Sequence, residues 1–406
     1  MEVNVHLTRL IAPNIYFVGV NDKRLDRFEN MFALPQGVAY NSYLIKDGKT
    51  ALLDTVDSAV TDQFLDNIKG VLQQRELDYL IINHMEPDHC GSIEAIVRLY
   101  PKVKLVGNKK TFDLFKQFYS QDIDKNIVLV KEGDVLDLGT KKIKFYMAPM
   151  VHWPEVMFSY ELSEDILFSA DAFGSFGTHN GNLFADESDW ENLFLDETRR
   201  YYSNIVGRYG SQVESVFKKL EIDKIKQIFP LHGPLWRKDL NIIFDKYTKW
   251  SSYRAEKNGV VIFYASMYGN TEHAAQLLAN KLAIRGVEDM RLYDVSKTES
   301  SYIIADIFKY SHFVAASPTY NMQLYPVMEQ LLRELIMLNV QNRSVAIIGN
   351  HSWASAAVKQ MVALINQMKN VELIGQPIDI RSSVKEQSDK ELEDLADQIA
   401  KSVLKY

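Results

Sequence analysis

Short apolar runs separated by polar turns dominate the first 250 residues. Strand-like runs are Ile15–Val20, Ser42–Ile45, Thr50–Leu53, Asp78–Ile82, Val103–Val106, Lys142–Met147, Ile166–Ala170 and Ile225–Phe229. Helical periodicity fills some of the intervals, as in Ser58–Leu72 and Glu187–Val206. Tyr40-Asn41-Ser42-Tyr43 leading into Lys46-Asp47-Gly48-Lys49 reads as a hairpin closed by an Asp-Gly turn. Strands and helices mixed in this order predict a sandwich-like α/β or α+β domain.

The pattern changes between Ser251 and Gly259 and then becomes regular. Val260–Ala265 is wholly apolar, a polar loop follows, and a helix runs to about Arg285. The strand-loop-helix theme returns at His312–Ala316 and Ser344–Gly349, and an amphipathic helix from Lys385 to about Leu404 ends the chain. Such alternation predicts a parallel sheet covered on both faces, a doubly wound domain. The expected division is 1–252 and 253–406, in keeping with a length of 406 residues.

Composition narrows the class. Hydrophobic content of 47% and charged content of 24% are those of a water-soluble globular protein. A net charge of −7 and short, scattered basic runs argue against a nucleic-acid partner. No apolar run is long enough to span a membrane, and Met1–Leu10 lacks a secretory profile, so a cytoplasmic location is expected. Cys90 is the only cysteine, which excludes an internal disulfide and any four-cysteine iron site. Redox chemistry here needs a carrier held without thiolates.

One motif stands out, His84-Met85-Glu86-Pro87-Asp88-His89, directly after the apolar run Asp78–Ile82. Pro87 argues against helix at this point, and in an extended run His84, Glu86 and Asp88 face one side, with His89 beside them. Imidazole with carboxylate suits iron, zinc or manganese. A single His or Asp in such a loop is ordinarily a cap or turn residue. Recurrence changes the weight. His152 follows Lys142–Met147, Asp171 follows Ile166–Ala170, and His232 follows Ile225–Phe229 within Pro230-Leu231-His232-Gly233-Pro234. Strand ends gathered on one edge bring such residues together. His6, His179, His273, His312 and His351 lie outside this setting, although His179 is placed to line a pocket.

This series resembles the metallo-β-lactamase fold, whose hydrolases carry His-x-His-x-Asp-His, then a His, a bridging Asp and a last His. Glu86 stands where those hydrolases have their second His, and that exchange resembles the flavodiiron, or A-type flavoprotein, family. The resemblance covers essentially the whole chain. It implies one iron on His84, Glu86 and His152, a second on Asp88, His89 and His232, and Asp171 bridging them. It also implies a metallo-β-lactamase-like αββα sandwich followed by a flavodoxin-like, doubly wound, five-stranded parallel sheet.

The second domain carries three loops at the expected edge. Ser266-Met267-Tyr268-Gly269-Asn270-Thr271 joins Val260–Ala265 to a helix. It fits neither a P-loop nor Gly-x-Gly-x-x-Gly, but it resembles the phosphate loop of flavodoxins, where amides and hydroxyls surround a phosphate at a helix N-terminus. Ser317-Pro318-Thr319-Tyr320-Asn321 and Gly349-Asn350-His351-Ser352-Trp353-Ala354 follow the next two strands. Loops at that edge meet beside the switch point of the sheet. Tyr320 and Trp353 are candidates to flank a flat ring, and FMN is the expected cofactor; simple packing is the alternative for both aromatics.

The resemblance implies a flavin-fed diiron reductase of dioxygen to water, of nitric oxide to nitrous oxide, or of both. It implies an external donor such as a rubredoxin or a reduced deazaflavin coenzyme. It further implies a head-to-tail homodimer, or dimer of dimers, that sets the flavin of one subunit against the metals of the other. Trp153, beside His152, is a candidate to line the metal pocket. Two rival readings remain from other classes: a dinuclear zinc hydrolase with an appended flavodoxin-like module, and a pure electron carrier with a vestigial first domain. Glu86 weighs against the first, and the full set of seven candidate ligands against the second.

Overall fold

The structure, a computed structural model, describes residues 6–405. The chain forms two compact units. One runs to Tyr202 and takes in Ser211–Asp245; the other comprises Ser203–Gly210 and the chain from Lys246 onward. No helix among the described residues is long and apolar enough to cross a membrane.

The first unit is built on two sheets. The larger has the order Arg9–Ala12, Ile15–Phe17, Tyr43–Lys46, Thr50–Leu53, Tyr79–Ile81, Lys104–Gly107, Ile127–Leu129. Its early strands are antiparallel, and from Thr50–Leu53 onward neighbours run parallel. The hairpin around Asp47-Gly48 forms as expected, with Lys46 opposite Thr50. The second sheet has the order Val135–Asp137, Lys142–Met147, Met157–Glu161, Ile166–Phe168, Gln227–Phe229.

Strand alternation explains the layering. Tyr43, Ile45, Ala51, Leu53, Ile81 and Val106 share one buried core with Ile143, Phe145, Met157, Ile166, Phe168 and Phe229 of the other sheet. The intervening Leu44, Leu52, Leu80 and Leu105 are equally buried and point the other way. The helices Thr61–Leu72 and Lys109–Phe118 contribute apolar stripes that include Phe64, Ile68, Phe112 and Phe115.

The long helix expected over Glu187–Val206 is broken. Asp189 caps a separate turn, Trp190–Leu193, by accepting from Asn192 N–H. A second helix, Leu195–Tyr201, then gives way to a π-helical turn at Tyr202–Val206. Arg199 and Arg200 are fully buried in this stretch, so polarity misreports which face is inside. Arg200 pairs with Glu197, donates to Ala33 O and lies 4.5 Å over the Phe176 ring.

The second unit has the strand order Met290–Asp294, Lys257–Tyr264, Tyr310–Tyr320, Gln341–His351, with Lys369–Leu373 and Ile378–Arg381 both parallel to the last of these. This is the 2-1-3-4-5 order of a flavodoxin-like sheet, its fifth strand split in two. Two strands outrun their apolar cores. Tyr310–Tyr320 carries Ser317 to Tyr320 within the strand, then turns back at Asn321-Met322 to pair with Gln323–Leu324. Asn321 and Met322 both have positive φ, as a tight hairpin turn requires. Gln341–His351 likewise carries Gly349, Asn350 and His351, so residues expected in loops belong to strand ends.

Candidate metal centre and flavin cleft

His84 lies just beyond the strand Tyr79–Ile81, held by a carboxylate from the neighbouring strand end. Asp54 Oδ1 accepts from the backbone N–H groups of Asn83 and His84 at 2.7 and 3.1 Å, and Asp54 Oδ2 accepts from the Asn83 amide at 2.8 Å. Burial pushes the Asp54 carboxyl up to about 6, against those hydrogen bonds.

The motif then turns sharply. Glu86 is extended, but Pro87 does not exclude helix here; it opens a short one, Pro87–Cys90, at the first position, where its missing N–H costs nothing. The expectation that Asp88 shares a face with His84 and Glu86 is therefore corrected. The helical turn swings Asp88 and His89 away from the extended pair, and Thr55 anchors it by donating to His89 O from both backbone and hydroxyl.

Two donor groups result. His84, Glu86, His152 and Asp171 form one, and Asp88, His89 and His232 form the other. All seven residues are buried. His152 Nε2 lies 3.0 Å from both Glu86 Oε2 and Asp171 Oδ2, and His84 Nε2 lies 3.2 and 3.4 Å from the same atoms. In the second group His89 Nε2 lies 3.3 Å from Asp88 Oδ2, and His232 Nε2 lies 3.2 Å from that oxygen. Asp171 belongs to both, because its Oδ1 lies 3.1 Å from His89 Nε2. Ala170, at φ +48°, breaks the strand early and turns Asp171 inward.

The far ring nitrogens fix the orientation of the imidazoles. His84 Nδ1 lies 2.8 Å from Glu155 Oε1, and His232 Nδ1–H donates to Ala39 O at 2.9 Å. Both hydrogen bonds leave Nε2 facing the cluster, free to act as a ligand. Asn41 braces the His232 loop by donating to Pro230 O and Gly233 O.

The donor chemistry fits a pair of cations. Three buried carboxylates, Glu86, Asp88 and Asp171, converge on four imidazoles, and Asp88 Oδ1 and Oδ2 and Asp171 Oδ1 accept no hydrogen bond. Donor-to-donor separations near 3.0–3.4 Å match the edges of a polyhedron with ligand bonds of about 2.0–2.2 Å. Electrostatics agree. Burial opposes charge on His84 and His152, yet the surrounding carboxylates raise His84 well above the ordinary histidine range and His152 to about 9. The cluster demands positive charge at its centre.

In the second unit the three singled-out segments form one cleft with a cavity volume of ≈ 230 Å³, open to solvent. Ser266, Met267, Tyr268, Asn270 and Thr271 line it, with Pro318, Thr319, Asn321, Asn350, His351, Ser352, Trp353 and Ala354. Thr319 Oγ1 ties the second segment to the third by accepting from Ala356 and Ala357 N–H. Gly269 has φ +88°, a conformation glycine adopts freely, and it turns the chain into the helix Asn270–Ile284, whose N-terminal residues Asn270 and Thr271 line the cleft. No lysine or arginine lines the cleft among the described residues, as expected for a phosphate held by amides and hydroxyls. Gly269, Ser317, Tyr320 and Gly349 are not lining residues. Ser317 is buried, Gly349 packs under Val358, and Tyr320 lies edge-on to Tyr325. Tyr268 and Trp353 are the exposed aromatics at the rim.

Comparison with known proteins agrees with this two-unit architecture. Residues 38–233 match the family model described as ODP family beta lactamase, and residues 262–398 match that of flavodoxin. The chain is 35% identical over 90% of its length to a nitric oxide reductase from Moorella thermoacetica, covering 91% of that protein. It is 30% identical to an anaerobic nitric oxide reductase flavorubredoxin from Vibrio vulnificus, over 88% of this chain and 72% of the other. Rubredoxin oxygen:oxidoreductase from Desulfovibrio gigas superposes with a TM-score of 0.91 at 27% identity, covering 98% of both chains. A variant of the flavo di-iron protein from Thermotoga maritima superposes with a TM-score of 0.88 at 26% identity, again over 98% of both.

The chain belongs to the flavodiiron protein family.

Several features of this flavodiiron protein carry no signal in periodicity or spacing. Glu155 is three residues past His152 and reads as an ordinary surface acid, yet it is buried against His84. Asp54 ends an apolar strand and reads as a turn residue. Met322 and Ser382 also line the cleft of the second unit; Ser382 comes from the turn after Ile378–Arg381, and its carbonyl accepts from the Asn350 amide. Trp153 meets the His84 ring edge-on at 5.5 Å and stacks on Phe118. His179 stays outside both donor groups; it bonds to Asn41 and lines a separate pocket with Phe17 and Leu183.

Proposed function

We propose that this protein is a flavin-fed diiron reductase of dioxygen, of nitric oxide, or of both. Residues 1–252 carry the metals and 253–406 the flavin. His84, Glu86 and His152 hold one iron, and Asp88, His89 and His232 the other. The observation that carries the reading is Asp171, whose two oxygens divide between the donor groups while Glu86 supplies the oxygen donor of the first. Oxygen-rich, thiolate-free donors favour iron over a softer choice. FMN occupies the cleft between Ser266–Thr271, Pro318–Asn321 and Asn350–Ala354.

Once bound, the cofactors would supply the electrons: two electrons and two protons convert a pair of nitric oxide molecules to nitrous oxide and water, and four of each convert dioxygen to two waters. The chain's own residues do the rest. Glu155 and the Ala39 carbonyl orient the ligand rings, the apolar walls keep the ligand carboxylates out of bulk water, and Asp54 holds the His84 loop in register. The natural donor is an external one-electron carrier of rubredoxin type or a reduced deazaflavin coenzyme. The active form is a cytoplasmic homodimer, or dimer of dimers, in which flavin and metal sites of different subunits face each other.

A dinuclear zinc hydrolase is not favoured, because relatives at 30 and 35% identity are named nitric oxide reductases. Anaerobic stopped-flow of the fully reduced protein against each gas in turn tests the proposal and ranks the substrates. Protein purified without added metal that contained zinc and no iron, or that consumed neither gas when fully loaded, would end it.

A further inference from the structure

The flavin cleft contains one side chain able to carry positive charge, and it is not left to solvent. His351, at the end of the strand Gln341–His351, lines the cleft. Its Nδ1 lies 2.9 Å from Asp379 Oδ1, a carboxylate on the adjoining parallel strand Ile378–Arg381. Asp379 is itself held, because Ser355 Oγ donates to Oδ2 at 2.5 Å. Gly349 makes room for this carboxylate: a Cβ there would stand 3.1 Å from Asp379 Oδ1. An imidazole backed by an oriented carboxylate keeps Nδ1–H toward the acid and presents Nε2 elsewhere. The other lining residues are hydroxyls, amides, thioethers, aromatics and backbone, with Tyr268 the only further titratable group. Beyond the cleft wall Arg381 stands opposite His351 in the strand register, with its Nε directed to Ser352 O.

We infer that the His351–Asp379 pair couples a proton to reduction of the flavin. The inference rests on the FMN reading above. Adding two electrons to an oxidised flavin with one proton leaves a net negative charge on the ring system, and a nearby basic group lowers the cost of that charge by taking up a proton. In this cleft the group is His351. As the ring gains two electrons from the external donor and one proton from solvent, Nε2 of His351 takes a second solvent proton. Asp379, 2.9 Å from Nδ1, stabilises the imidazolium. Two electrons and two protons are consumed together, no bond in the protein is broken, and reoxidation returns both protons.

The test is a spectroscopic potentiometric titration of the FMN-loaded protein with dithionite across neutral pH, for wild type, His351→Gln and Asp379→Asn. The expected wild-type result is a two-electron midpoint potential that falls with pH at the slope of two protons per two electrons. In His351→Gln the slope halves, and in Asp379→Asn the pH at which it changes moves downward. FMN stoichiometry and visible absorption verify that each variant keeps its cofactor. Full FMN with the same slope in all three proteins overturns the coupling alone. A wild-type chain that binds no FMN overturns the coupling together with the reading beneath it.

Discussion

His84 Nδ1 and Glu155 Oε1 lie 2.8 Å apart, and both side chains are completely buried. Glu155 also accepts from the Met85 backbone N–H at 2.9 Å, so one carboxylate fixes both the ring and the chain that carries it. A buried acid spent on orienting a ligand ring makes that ring a better donor. Replacing Glu155 by Ala leaves the His84 ring free to rotate and removes the carboxylate acceptor of Met85 N–H. The expected result is roughly 10–100-fold weaker iron retention against a chelator. Glu155→Gln keeps an acceptor and loses less. Equal retention by wild type and Glu155→Ala would show that His84 is held by packing alone.

Gly233 follows the candidate ligand His232 at φ +68°, and a Cβ there would stand 2.6 Å from Ser175 Cβ. Backbone strain and overlap both fall on the loop that aims His232, so Gly233→Ala shifts the ring off its hydrogen bond to Ala39 O. The second donor group suffers and the first does not. Iron analysis is expected to fall from about two per chain toward one. Retention of both irons would mean the loop absorbs the change without moving His232.

Much of this was legible in the chain. The seven candidate donors stand out because they lie in segments that follow apolar strands, and burial of those strands dictates where such segments meet. What escaped was local. Pro87 is compatible both with breaking a helix and with starting one, and only the cap geometry at Glu86 decides. Arg199 and Arg200 are polar letters in buried positions, which hid the break in the helix before Tyr202. Ser317–Tyr320 and Gly349–His351 are polar enough to read as loops, yet the sheet's parallel ladder extends through Pro318 and Asn350. Glu155 and Asp379 meet His84 and His351 across 71 and 28 residues of sequence, and no local pattern encodes such a pairing.

His312 makes stability of the second unit pH-dependent. Its ring is buried, with Nδ1 2.7 Å from Ser311 Oγ and Nε2 2.9 Å from Ser402 Oγ. Burial, then the charge of Arg343, lowers its pKa to about 4. The unfolded chain protonates near 6.5. Above that value both states are neutral and His312 contributes no pH dependence. Between about 6.5 and 4 the unfolded state binds a proton that the folded state refuses, so stability falls as pH falls, approaching about 1.4 kcal/mol per pH unit. In His312→Gln this contribution vanishes. Urea unfolding of the second unit, followed by flavin release at about pH 7.5, 6 and 5, should show the variant losing less stability on acidification. Parallel losses in the two proteins would place the acid sensitivity elsewhere.

Arg343, the residue that depresses His312, is buried and spends its guanidinium on backbone. Nε donates to Ile307 O at 2.8 Å, Nη2 to Phe308 O at 3.1 Å, and Nη1 to Tyr253 O at 2.7 Å. It also reaches Gln341 O and Asn342 O. One planar fork thus ties three segments of the second unit, the chain at Tyr253, the end of the helix Ser300–Lys309, and its own strand. Burial lowers its pKa to about 10, so it stays charged near neutrality. Arg343→Met removes every donor and strands buried carbonyls, costing about 3 kcal/mol or more. Arg343→Lys keeps the charge, but one ammonium cannot satisfy carbonyls lying in several directions, so it recovers only part of the loss. The urea midpoint for flavin release should therefore order wild type, then Lys, then Met. A lysine variant as stable as wild type would show that charge, not the geometry of the fork, holds these segments together. Loss of the positive charge in Arg343→Met should also raise the pKa of His312 and shorten the acid window described for it.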